Sequence, residues 1–104
     1  GKPDRAVLEE FRAAIIEFPD AAIGYVAGAG WLLRMGLSDD DAEVMLRKGL
    51  EIEPRNAYGN AVEAALCLLQ GEPEGAKKAL ARSLRSDPKC ELAQTLRTAH
   101  FQAQ

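Results

Sequence analysis

The chain holds 104 residues, 47% of them hydrophobic and 28% charged, with 13 basic against 16 acidic side chains and a net charge of −3. That length and apolar share fit a single domain over residues 1–104 with one core. An acidic balance with no basic stripe excludes a phosphate-neutralising nucleic-acid binder, and no apolar run nears the roughly 18 residues of a membrane span.

Two cysteines make no disulfide framework, so a reducing, cytoplasmic setting is the expectation. The start carries no signal-peptide pattern. It opens on Gly1 instead of methionine, from which we expect residues upstream to be missing.

The first predicted helix, over 4–18, carries Val7, Phe11 and Ala14 at helical spacing and stops before Pro19 of "EFPDA". The second, over 21–36, is framed by Asp20 and Gly36. It holds "GYVAGAGWLLRMG", four glycines around the only tryptophan. Ser38 then offers an N-cap, and Asp39, Asp40 and Asp41 suit the positive end of a third helix over 39–53. The acidic trio lacks the glycine and distal glutamate of a calcium loop, so we read it as helix capping.

Pro54 of "EIEPRNA" stops that helix, and the fourth runs over 57–70 through "AALCLLQ", where Cys67 reads as a small buried hydrophobe. Gly71 ends it, and Pro73 presets the first turn of a fifth helix over 73–86. The sixth follows Pro88 of "RSDPKCE" over 89–102, with Cys90 beside the turn as a candidate for exposure. Pro19, Pro54 and Pro88 recur at intervals of 35 and 34 residues. Each lacks an amide donor and disfavours helix in the residue before it. Helix pairs at that interval make a solenoid.

These units resemble the tetratricopeptide repeat, whose first helix carries Trp-x-x-Leu-Gly-x-x-Tyr, whose second carries Ala-x-x-x-Phe, and which closes on a proline. The matching residues in the first full unit, about 22–54, are Val26, Ala29, Gly30, Leu33, Ala42, Leu46 and Pro54. In the second, about 57–88, they are Asn60, Glu63, Ala64, Cys67, Ala76, Leu80 and Pro88. Small residues recur where the family packs helices closely: Gly30 with Ala42 and Gly49, and Ala64 with Ala76 and Ser83. The leading aromatics are missing, and Asn60 and Glu63 are polar where the pattern is apolar, so the units are degenerate. Residues 4–19 form a partial unit, and 89–102 a C-terminal capping helix. The resemblance implies an all-α fold, an α-α superhelix of about six antiparallel helices.

The glycines of the second helix lie inside a helix, with no strand before them and no Lys-Ser or Lys-Thr after, so they are no phosphate loop. Gly24-x-x-x-Gly28 lacks the apolar 20-mer of a membrane contact motif. Each interior glycine costs about 1 kcal/mol against alanine, which demands a packing reason. Gly24, Gly28 and Trp31 share one helical face. By resemblance that face lines a concave groove, leaving a shallow channel beside the indole. Either a neighbouring helix of the same chain or a partner segment fills it.

The stripe continues as Tyr58, Ala61, Ala65 and Leu68, with Leu69 beside it, and as Leu92, Thr95, Ala99 and Gln102. With Ala27 and Arg34 it makes a mostly apolar surface. Grooves of this family that bind chaperone tails use Lys and Asn side chains around a carboxylate; the equivalent positions here are Ala27, Trp31, Ala61, Val62 and Leu92. The expected site is therefore Gly24, Ala27, Gly28, Trp31, Arg34, Tyr58, Ala61, Ala65, Leu68 and Leu92, taking a peptide or amphipathic helix. Small acidic tetratricopeptide chaperones of type III secretion resemble this design in size, acidity and groove chemistry.

Catalysis has no constellation to support it, since His100 stands alone and neither cysteine has a neighbouring base in sequence. We expect no enzyme, catalytic residue, cofactor, metal, nucleic acid or membrane partner. The alternative is assembly, a homodimer or docking within a larger complex through Phe11, Ile15 and Ile16 at one end and Phe101 at the other.

Overall fold

A computed structural model describes residues 3–101. They form six helices and no strand: α1 Pro3–Glu17, α2 Ala22–Arg34, α3 Asp39–Ile52, α4 Ala57–Leu69, α5 Pro73–Ser86 and α6 Glu91–Phe101. Gln102, assigned by sequence to the last stripe, lies outside the described residues.

Local chemistry sets the boundaries. The Ser38 hydroxyl accepts the Asp41 N–H at 3.1 Å at the start of α3, with three aspartates in the first turn. Asn56 caps α4 in the same way, accepting the Gly59 N–H at 2.7 Å. Gly71, with φ +74°, supplies the left-handed residue that ends α4, and Pro73 opens α5. The start of α2 has no side-chain cap. Its stability comes from packing rather than from its ends.

The chain folds as two compact units, a first up to Glu53 and a second from Pro54. In the first, α2 packs antiparallel between α1 and α3. Paired positions run in opposite directions, with Gly24 beside Ile15 and Gly28 beside Phe11, then Gly28 beside Met45 and Val26 beside Gly49. Val26, Ala29 and Leu32 of α2 are buried with Ala42 and Leu46 of α3.

In the second unit, α4 and α5 form the antiparallel pair and α6 packs on both. Ala61, Ala64 and Cys67 meet Ala76, Ala79 and Leu80, and Cys90 and Ala93 complete the cluster. Alanines at these positions let helix axes approach closely, as the small residues of the repeat pattern require. Ala64, Ala76 and Ser83 have no exposed surface. Cys90 corrects the sequence reading. It is 8% exposed and sits in this core, because the turn after Pro88 carries its side chain inward at the start of α6.

Candidate protein-interaction surface

In the first unit the channel beside Trp31 is filled by the chain itself. A Cβ built on Gly28 would collide with the tip of Met45 from α3 and lie 3.5 Å from Phe11 Cβ of α1. One on Gly24 would stand 3.1 Å from Ile15 Cγ1. Trp31 is 9% exposed, its ring 5.9 Å from that of Phe11. The glycines therefore serve close helix packing, and Gly24, Gly28 and Trp31 lie in the interior. Of the expected site residues in this unit, Ala27 is half-buried and Arg34 exposed.

The same contacts revise the terminal apolar set. Phe11 and Ile15 are half-buried against α2, whereas Ile16 keeps 79% of its surface exposed. Phe18 and Ile23 join it at the α1–α2 turn as exposed apolar side chains. At the other end, Phe101 packs against the core of the second unit with the Lys77 ammonium 5.7 Å from its ring centre.

The second unit treats its share of the expected site differently. Ala61 has no exposed surface and belongs to the core. Tyr58, Ala65 and Leu68 of α4 are half-buried, as is Leu92 of α6. Leu68 and Leu92 rest on the core cluster while keeping surface of their own. Leu69, next on α4, is exposed. Thr95 and Ala99 are also exposed.

Asn60, which in sequence reads as a degenerate position, is a buried polar node. Its Nδ2 donates to the carbonyls of Pro54 and Asn56 at 3.0 and 2.9 Å, and its Oδ1 accepts from Arg82 Nε at 2.9 Å. The Ser83 hydroxyl donates to the Ala57 carbonyl at 2.7 Å. These bonds pin the start of α4 to the end of α5, and each satisfies a group that would be costly if buried alone. Beside the node opens a cleft of about 670 Å3 lined by Pro54, Arg55, Asn60, Arg82, Arg85 and Ser86. One signal was available in sequence: a polar residue at an apolar repeat position needs a hydrogen-bonding partner.

The Cys67 thiol holds its proton more tightly than a free one. Burial raises its thiol pKa above the ordinary 9.0, Glu63 and Glu72 add to the rise, and Arg82 opposes it. Both cysteines are free. No helix among the described residues is long and apolar enough to cross a membrane.

Antiparallel helix pairs, stopped by prolines and crossing on small residues, define a helical-repeat scaffold. A family model described as tetratricopeptide repeat matches residues 40–99, more than half of the chain, and the chain belongs to that family. No curated protein and no solved structure matches it. Tetratricopeptide repeats generally mediate protein–protein interaction, and the family is a non-enzymatic interaction module.

Proposed function

We propose that the chain is a non-enzymatic module that takes a peptide or amphipathic helix of a partner protein on the apolar stripe of its second unit, Tyr58, Ala65 and Leu68 of α4 with Leu92 of α6. Half-burial carries this reading: all four side chains keep part of their surface exposed, and Leu68 and Leu92 are anchored from below on the core cluster. A partner helix would meet them through apolar residues three and four apart. Burying roughly 400 Å2 of apolar surface would contribute on the order of 10 kcal/mol before the costs of association. The chaperone form of this function, holding an aggregation-prone helix of a secreted subunit, is supported by the chain's acidity and its apolar stripe alone. The two free thiols support a cytoplasmic location.

The test is selection of displayed random peptides on the wild-type chain, counter-selected on Leu68→Glu/Leu92→Glu. Peptides with apolar residues at helical spacing, bound by wild type and lost by the variant, are the expected result. Peptides that bind both proteins equally would reject the stripe.

Ile16, Phe18 and Ile23 favour a second reading, assembly through the α1–α2 turn. Light scattering separates the two: a dimer that Ile16→Ser/Phe18→Ser returns to monomer supports assembly, and a monomeric wild type removes it.

A further inference from the structure

The second unit holds a basic cleft that the apolar stripe does not use. Arg55, from the turn before α4, and Arg82 and Arg85, from the last turns of α5, line one cleft with Asn60 and Ser86 in a chain whose net charge is −3. Three cations on other helix faces pair locally: Arg12 with Glu9, Arg47 with Glu43, and Lys77 with Glu74. Arg55 and Arg85 enter no ion pair among the described residues. The acids nearest in sequence are Glu53, two residues before Arg55, and Asp87, two after Arg85, whose carboxylate accepts the Lys89 N–H at 3.0 Å.

Arg82 is already oriented. Its Nε donates to Asn60 Oδ1, and Asn60 is itself held by two backbone carbonyls at 2% exposure. With Nε fixed, the two terminal nitrogens of the guanidinium remain as a fork. A fork whose direction is set in advance loses little freedom when it meets a planar pair of oxygens. All three cations are arginines, the side chain suited to such bidentate contact.

We propose that this cleft binds carboxylates of an acidic segment in the partner protein, a reading that rests on the chain being a protein-binding module. Arg82 receives one carboxylate through its fork, Arg55 and Arg85 supply the charge around it, and Ser86 adds a hydroxyl donor. A nucleic-acid backbone fits the site poorly. Three cations confined to one cleft of an acidic chain do not make the continuous stripe that a phosphate backbone follows.

The probe is a short fluorescein-labelled peptide rich in Asp and Glu, capped at both ends, followed by anisotropy at low salt. A second peptide with a free C-terminal carboxylate and no acidic side chains separates a chain terminus from side chains as the source. Arg55→Gln/Arg85→Gln, at two exposed positions, is expected to weaken the peptide that binds by about tenfold or more. Arg82→Lys keeps the charge but loses the fork, and is expected to weaken it further. Unchanged affinity in both variants, with helicity intact by circular dichroism, overturns the cleft. A phosphoserine peptide of equal charge binding more tightly overturns the carboxylate assignment. Helical peptides selected on the stripe are run in parallel. If they still bind when the acidic probe does not, the cleft has failed and the module reading stands; if neither binds, both have failed.

Discussion

The first unit closes its main helix pair by omission. Gly28 and Gly49 carry no Cβ where Met45 and Val26 arrive. The second closes its pair on alanines and then adds polar pins, Asn60 to Arg82 and Ser83 to the Ala57 carbonyl. Both solutions satisfy the same repeat, which requires close approach and leaves open how register is fixed. Glycine gains proximity at about 1 kcal/mol of helix propensity per position and fixes register through shape alone. A buried hydrogen bond fixes register by direction and punishes any slip with an unsatisfied group. The unit with the polar pins is also the one that holds the arginine-lined cleft.

Substitutions sharpen this contrast, beginning with the largest. Trp31→Ala removes the indole packed against Phe11 and should lower unfolding free energy by about 3–5 kcal/mol in urea titrations. A loss well under 1 kcal/mol would mean that the ring is not part of the interior.

Asn60→Ala removes the acceptor of Arg82 Nε and the side-chain donor to the Pro54 carbonyl, while the Asn56 carbonyl keeps the residue-60 backbone N–H. It should cost about 1–3 kcal/mol by the same measurement. Neutral behaviour would dissolve the distinction between the units.

Within the first unit, two glycines should diverge. A Cβ at Gly49 would stand 2.6 Å from Val26 Cγ1 and 3.1 Å from Tyr25 Cβ, and Val26 is fully buried and stiff. Gly49→Ala should therefore cost a net 1–2 kcal/mol or so once the gain in propensity is subtracted. At Gly28 the obstacle is the flexible tip of Met45, which can swing aside. Gly28→Ala should shift stability by less than about 1 kcal/mol, in the stabilising direction. Equal losses at both sites would refute the difference.

The smallest effect is alkaline. The folded Cys67 thiol holds its proton more tightly than the unfolded one, so stability is complete below the unfolded pKa and falls as pH rises through the raised folded value. Alkylation of Cys67 at pH near 9 should be slower in the native protein than in Cys67-containing unfolded chain. Equal rates would show that the thiol is not shielded.

Local signals made the helices legible. Pro19, Pro54 and Pro88 stop helices by their own chemistry, Ser38 caps within three residues, and Gly71 ends α4 through its backbone. In the second unit the small residues that meet in the core, Ala64 and Ala76, were legible too, because the repeat spacing fixes which faces touch, whereas in the first Gly49 is met by Val26 and Tyr25. What sequence could not supply was the occupant of a face. Gly28 is met by side chains from two other helices, Phe11 and Met45, and no local pattern indicates which neighbour reaches the channel first. The Asn60–Arg82 bond spans 22 residues, so the basic cleft exists only once α4 and α5 are folded together. Cys90 was misread for a similar reason: closeness to a turn says nothing about which way the turn faces.

The central claim is that partners meet the half-buried stripe of the second unit, while the glycine-rich helix α2 is interior packing. Titrating isotope-labelled protein with a selected helical peptide, and following amide and methyl NMR shifts, tests it directly. The account predicts the largest perturbations at Ala65, Leu68 and Leu92, with Gly28 and the Trp31 indole N–H unmoved. Perturbations centred on Gly24, Gly28 and Trp31 would contradict it.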